Sequence, residues 1–304
     1  MSRSDTLTDP RRRDLLRLAA GGALVAVAAR AQPRGELRIV LAAETAQHGA
    51  LVQALRARWP AVTTFRDPVA DASGRPKPLA YAAIGPLALR QALRTPLDAP
   101  LIAVLVSRQA YAQLVDQGAR PPHGVTAIFA ESSPVQQMRT IAAVMRRPVT
   151  VGALSSARSR YLEPLLETAA QGAGLSAIVQ VYEPAIGVSR NLLRLAAADA
   201  VLIFPDSDIF SPDSLRELLE STYRRRQPVF GFSEALVNAG TLASAYSSAD
   251  DLAAHLIELL GSVAESRLPA PDYPRYWRVA INDSVARSLD IVIDSSARSL
   301  GDRP

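Results

Sequence analysis

Cysteine is absent from the 304 residues. Its absence excludes disulfides, thiolate nucleophiles and cysteine-based metal sites. Histidine is scarce as well. His48, His123 and His255 are the only three, and none stands at metal-ligand spacing from another. Asp206-Ser207-Asp208 is a D-x-D without the rest of a calcium loop. No glycine-rich phosphate cradle follows any apolar run. No metal and no cofactor is therefore expected. Charge of one sign is also not in surplus where it would matter. The chain has 34 basic and 29 acidic residues, a net charge of +5. Residues 1–31 hold six Arg and three Asp, so the remainder is nearly balanced. That balance argues against nucleic acid as a partner. Arg224-Arg225-Arg226, the one basic run outside the N-terminal segment, reads as the solvated end of a helix.

Long apolar runs are lacking too. The stretch from Leu18 to Ala29 is too short, and too rich in Ala and Gly, to span a membrane well. What surrounds it is an address. Arg11-Arg12-Arg13 precedes it, and Ala29-Arg30-Ala31 closes it with small residues at the spacing a signal peptidase reads. Arg12-Arg13-Asp14-Leu15-Leu16-Arg17 resembles the twin-arginine export motif. The expectation is a cleaved signal over residues 1–31, a mature protein in the periplasm, and no part for the signal in the fold.

From Glu36 onward, short apolar runs alternate with helical periods. Strands are expected at Leu37–Ala42, Tyr81–Ile84, Leu101–Val106, Thr126–Phe129, Val149–Leu154, Ile178–Val181, Ala200–Phe204, Val229–Phe232, Thr241–Ala245 and near Trp277–Ile281. Most are continuously apolar, as parallel strands buried on both faces are. Leu162, Leu165, Leu166 and Ala169 make one helical stripe, and Leu215, Leu218, Leu219 and Thr222 another. Leu252, Leu256, Leu259, Leu260 and Val263 make a third. Ser133-Pro134-Val135-Gln136, Ser211-Pro212 and Ser248-Ala249-Asp250-Asp251 read as helix starts. The pattern is that of an α/β protein with parallel sheets flanked by helices. Two lobes are expected, residues 32–147 and 148–246, with the chain crossing near Arg146-Arg147-Pro148. Residues 247–304 should pack back across both. Asp67–Pro78, with Gly74 and three prolines, reads as a loop.

Ligands of such sheets bind beyond the carboxyl ends of the strands, where loops turn into helix N-termini. Those slots hold Glu44-Thr45, Gly85, Ser107-Arg108, Glu131-Ser132, Ser155-Ser156, Asp206-Ser207 and Ser233-Glu234. Each residue alone is more often a helix cap than a ligand contact. Their recurrence in register points to a polar cleft. Two carboxylates there, Asp206 and Glu234, suit a ligand with an ammonium group or several hydroxyls. Gly231-Phe232-Ser233-Glu234-Ala235 comes close to a hydrolase nucleophile elbow. It has Ala235 where glycine is needed, and only His255 lies downstream. An enzyme is not expected.

Ala200–Ser211, Pro228–Ser244 and Val279–Leu289 carry a strand ending in Pro-Asp, a Val-x-x-Gly turn and an N-x-x-V-A-x-x-L segment, in that order. Together they resemble the ABC transporter substrate-binding family that includes aromatic-amino-acid binders, over about Val149 to Ile293. The first half departs from the family, with Val106-Ser107-Arg108-Gln109 where members carry an Asp-Pro-Val turn. The resemblance implies a type I periplasmic-binding fold with ligand held between two lobes. It implies that Asp206, Ser207, Ser233 and Glu234, with Ser155 and Ser156, contact ligand; the strand-end slots add Ser107 and Glu131. The expected ligand is a small polar organic molecule, amino-acid-like. The expected partner of a monomeric protein is an inner-membrane ABC permease, or alternatively a periplasmic sensor receptor or kinase.

Overall fold

The apolar runs of the mature chain become two parallel sheets. The structure is a computed structural model and describes residues 35–66, 76–118 and 121–304. The expected signal at residues 1–31 and most of the loop at 67–78 lie outside the described residues. The first half comprises β1 (Leu37–Val40), α1 (Ala46–Arg58), β2 (Val62–Phe65), β3 (Ala80–Ile84), α2 (Pro86–Leu93), β4 (Leu101–Val106), α3 (Arg108–Gln117), β5 (Val125–Phe129) and α4 (Pro134–Met145). The second comprises β6 (Thr150–Ser155), α5 (Glu163–Gly172), β7 (Ser176–Val181), α6 (Gly187–Leu193), β8 (Ala200–Leu202), α7 (Pro212–Arg224), β9 (Val229–Phe230), α8 (Glu234–Ala239), β10 (Ala243–Tyr246) and α9 (Ala249–Ala264). β11 (Trp277–Ile281), α10 (Asp283–Ser288), α11 (Ser295–Ser299) and β12 (Gly301–Asp302) close the chain.

The two sheets repeat one topology. The first runs β2-β1-β3-β4-β5 and is parallel throughout. The second runs β7-β6-β8-β9-β10, again parallel, and adds β11 and β12 antiparallel at its edge. Central strands are buried on both faces: every residue of β3 and β4 is buried. β2 escaped the apolar reading because its Val-Thr-Thr-Phe sits half-buried at the sheet edge. The three expected helix starts all form capping boxes, Ser133 with Gln136, Ser211 with Ser214, and Ser248 with Asp251. Gly240 ends α8 at φ +125°, a backbone that glycine adopts without Cβ strain. Asn282 caps α10 and donates to the Val237 carbonyl at 2.9 Å, tying α10 to α8.

Two helices leave the sheet they follow. α4 comes after β5 of the first sheet, yet Met138, Ile141 and Val144 join the core of the second sheet with Val151, Leu166 and Phe230. α9 comes after β10 of the second sheet, yet Leu252, Leu256 and Leu260 pack with Leu51 and Leu55 of α1. The chain thus passes between lobes at about 130–133, not at Arg146–Pro148. Those residues stay on the second lobe, where Arg146 pairs with Asp294 at 3.6 Å and Arg147 with Asp199 at 2.9 Å. The apolar stripe of α4 decides the matter, because it fits the second core and not the first. A second passage lies at 247–248. A third lies near 274–276, after Asp272 has bridged alongside β5 and before β11.

Hydrogen bonds tie the three passages side by side. Gln136 Nε2 donates to the Pro274 carbonyl at 3.0 Å. Ser247 Oγ donates to the Tyr276 carbonyl at 2.7 Å. The Gln137 amide exchanges two bonds with the backbone of Ala245. Asp251, fully buried, accepts two bonds from the Arg278 guanidinium at 2.7 and 2.8 Å. Burial alone would raise the Asp251 pKa, but the bonds from Arg278 and Ser248 outweigh it and hold the group below the ordinary aspartate value. A depressed folded pKa contributes stability above the unfolded value and loses it as pH falls through the folded one. Asp251→Ala should cost about 2–3 kcal/mol, because it strands a half-buried guanidinium. Thermal unfolding at pH 7 checks this, with a melting temperature several degrees lower. The difference from the parent protein should shrink below the ordinary aspartate pKa as pH falls.

Candidate functional site

The carboxyl ends of the two sets of strands converge. From the first lobe come the residues after β4 and β5. Ser107 caps α3, accepting from the Ala110 amide at 3.2 Å. Arg108 and Gln109 open that helix, and Glu131 and Ser132 follow β5. From the second lobe come Ser155 and Ser156 after β6, and Asp206 and Ser207 after β8.

Asp206 is the junction. It is buried, and both of its oxygens accept hydrogen bonds within the protein. Oδ1 accepts from Gln109 Nε2 at 3.1 Å and from the Asp208 amide at 3.0 Å. Oδ2 accepts from Ser159 Oγ. Gln109 returns the bond: its Oε1 accepts from the Ser207 amide at 3.3 Å. One side-chain amide on the first lobe thereby clasps two consecutive residues of the second. Arg158 adds a further link between lobes, donating to Gln113 Oε1 at 3.3 Å while pairing with Asp208.

Beside the clasp, the Arg108 guanidinium lies 4.7 Å from the ring centre of Tyr161 and 5.7 Å from that of Tyr273. It also donates to the Tyr273 hydroxyl at 3.2 Å. Cation–π contact of this kind is strengthened by exclusion of water. Burial pushes the Tyr161 phenol well above its usual range. The cluster draws on α3, on the turn after β6 and on the third passage between lobes.

Glu131 sits at the first passage and is 8% exposed. Its Oε1 accepts from the Arg108 amide at 2.9 Å, while Oε2 has no hydrogen-bond partner. The neighbouring Ser132 hydroxyl is likewise buried and unpartnered. Both line a small, partly open cavity of about 20 Å³ with Leu162, Leu166, Phe204 and Phe232. That is room for a single water-sized group. Burial raises the Glu131 pKa to about 7, against the opposing pull of the Arg108 amide and charge.

The other expected positions are tied down locally. Ser155 Oγ donates to Glu163 Oε1 at 2.6 Å. Ser156 takes part in the turn after β6, its hydroxyl accepting from the Arg158 amide at 3.2 Å. Ser233 caps α8, accepting from the Leu236 amide at 3.3 Å. Glu234 is exposed at the start of α8, where burial and the nearby Glu234 charge raise the Tyr246 phenol above its ordinary pKa. Asp206, Ser207 and Glu131 therefore meet at the lobe junction, whereas Glu234 does not join Asp206. Gln109, Ser159, Tyr161 and Tyr273 were not singled out by the sequence. Their roles arise from contacts up to 165 positions apart in the chain, which no local pattern signals. Among the described residues, no group of three or more His, Asp or Glu side chains could hold a metal ion. No described helix is long and apolar enough to cross a membrane.

Because the folded Glu131 pKa is raised, its contribution runs opposite to that of Asp251. The protonated form fits the folded site, so stability should fall as pH rises from about 4.5 to about 7. The full effect is about 3 kcal/mol. Glu131→Gln keeps an acceptor for the Arg108 amide without the charge. Its melting temperature should exceed that of the parent above pH 7 and vary less between pH 4 and 8.

No protein-family model matches the chain, and no curated protein matches it. Solved structures do. An ABC domain in complex with L-Trp from Streptococcus pneumonia superposes with a TM-score of 0.55 at 18% identity, covering 86% of this chain and 97% of that one. A conserved domain protein from Vibrio cholerae gives 0.57 at 16% identity, covering 88% and 99%. A substrate binding protein with adhesive properties from Clostridium difficile, in its ligand-free, open form, gives 0.60 at 14% identity, covering 89% and 100%. The likeness extends over nearly the whole of each. The chain has the two-lobed, type I periplasmic-binding-protein-like fold.

Proposed function

We propose that this chain is an exported solute-binding protein that captures a small organic molecule between its lobes and delivers it to an inner-membrane ABC permease. One observation carries the reading: polar side chains at the carboxyl ends of both sheets meet across the lobe junction at Asp206 and Gln109. Sites of small ligands lie at this place in parallel α/β sheets. Side-by-side passages of the chain are what a hinge requires. The likeness in fold to a protein complexed with L-Trp and to a substrate binding protein supports the same reading.

In this account, Asp206, Ser207 and Ser156 contact the ligand from the second lobe, and Glu131 contacts it from the first passage. The ligand displaces the Gln109 amide from Asp206, and closure then reseats the lobes around it. A ligand ammonium or hydroxyl is the natural replacement for the Gln109 donor, because an ionised aspartate only accepts. The Arg12-Arg13 pair and the Ala29-Arg30-Ala31 end support export of the mature chain.

A thermal-shift screen against amino acids, aromatic acids and small polyols tests the binding claim. At a hundredfold excess over its Kd, a true ligand stabilises the fold by about 2.7 kcal/mol. Asp206→Asn should weaken that ligand by about ten- to a hundredfold. A panel without a hit, or a hit indifferent to Asp206→Asn, would contradict the assignment. Export is tested separately. Periplasmic protein should begin near Gln32, and changing Arg12 and Arg13 to Lys should retain it in the cytoplasm.

A further inference from the structure

Another concavity opens beside the lobe junction, lined mainly by α4 and α5 of the second lobe, with Arg108 and Tyr273 at one end. α4 and α5 pack side by side in the core of that lobe. Between them on the surface opens a groove of about 420 Å³, a size that suits a small organic molecule. Its walls are largely apolar, from Pro134 and Val135 at the start of α4 to Leu165 and Ala169 on α5. Val135 and Leu165 are 55% and 39% exposed, unlike the large majority of apolar side chains here.

The charge lining the groove is of one sign. Arg108 and Arg139 both line it, and no acidic residue does. Glu131 lies behind Arg108, accepting from its backbone amide outside the groove lining, and the guanidiniums themselves contact neutral groups. Arg108 bonds the Tyr273 hydroxyl and faces two tyrosine rings. Arg139 lies 5.5 Å from the ring centre of Trp277. Aromatic rings attract a cation without consuming its charge. A guanidinium in such a place still offers donors in a fork that matches a carboxylate. Apolar walls with two cations and no anion select a molecule that has both an apolar body and a negative head.

We infer that the α4–α5 groove binds a small amphipathic carboxylate, an aromatic or medium-chain aliphatic acid. Its body lies against Leu165, Ala169 and Val135, and its carboxylate faces Arg108 and Arg139. The site is separate from the one proposed at Asp206. Arg108 and Tyr273 adjoin both, so the variants that discriminate are Arg139 and Leu165. Both side chains are surface-accessible, and replacing them should leave the melting temperature of the free protein nearly unchanged.

The probe is 4-phenylbutyrate, with its uncharged amide as control, titrated by calorimetry into the purified protein. Saturable binding of the acid is expected, with the amide weaker by about tenfold. Arg139→Gln should weaken the acid by a similar factor, and Leu165→Glu should abolish detectable binding. Asp206→Asn should leave it unchanged. The inference is overturned if acid and amide bind alike or if neither saturates. It is also overturned if Asp206→Asn removes binding while Arg139→Gln does not, which would place the acid at the lobe junction. Self-association of the protein that Leu165→Glu abolishes, without acid binding, would make the groove a contact between copies and would overturn the inference as well.

Discussion

The exchange of two helices between sheets is the constraint on which the rest of the molecule depends. α4 buries its stripe in the second core and α9 buries its stripe in the first. Apolar burial at about 25 cal/mol per Å² makes each placement expensive to undo. Neither lobe can complete its core from its own stretch of sequence. The chain must therefore cross more than once, and the passages run together where Gln136, Gln137, Ser247 and the Asp251–Arg278 pair tie them. In the proposed function, two lobes joined along one side open on the other. That other side is where the strand ends meet.

The contacts there are of a different kind. The core is held by apolar area, but the lobe junction is held by a handful of polar bonds. Gln109 to Asp206, Ser207 to Gln109 and Arg158 to Gln113 are the bonds across it. Each contributes about 1 kcal/mol net, because water competes for the same groups. Under the proposed function, a ligand that supplies equal partners replaces these bonds. Glutamine suits this role since its amide gives one bond and takes another. Asp206, by contrast, is satisfied entirely within the protein. Glu234 stands elsewhere, exposed at the start of α8.

Much of this was legible from residues. Continuously apolar runs such as Leu101–Val106 announced buried parallel strands, and the Ser-Pro and Ser-x-x-Asp signals announced helix starts. Those are local rules, and they held because the chain's local and tertiary preferences agree. Strand-end logic also placed Asp206, Ser207 and Glu131 at the junction. Local reading failed where the answer was not local. The stripe of α4 shows that the helix is amphipathic, but not which of two similar sheets it covers, so the first passage was put some fifteen residues late. Ser107 and Ser233 look alike in sequence as cap and as ligand contact, because one hydroxyl serves both uses. Tyr161 and Tyr273 became visible only when three distant segments met around Arg108.

The central claim is that Gln109 and Asp206 hold two lobes that swing about the tied passages. Since the chain has no cysteine of its own, a pair of spin labels can be placed cleanly through Arg90→Cys on α2 and Arg216→Cys on α7. Pulsed electron–electron resonance then reads the distance between lobes. The account predicts one narrow distribution in the parent protein, and a longer, broader one when Gln109 is changed to Ala. Identical narrow distributions with and without Gln109 would show that the clasp holds nothing, and would contradict the account.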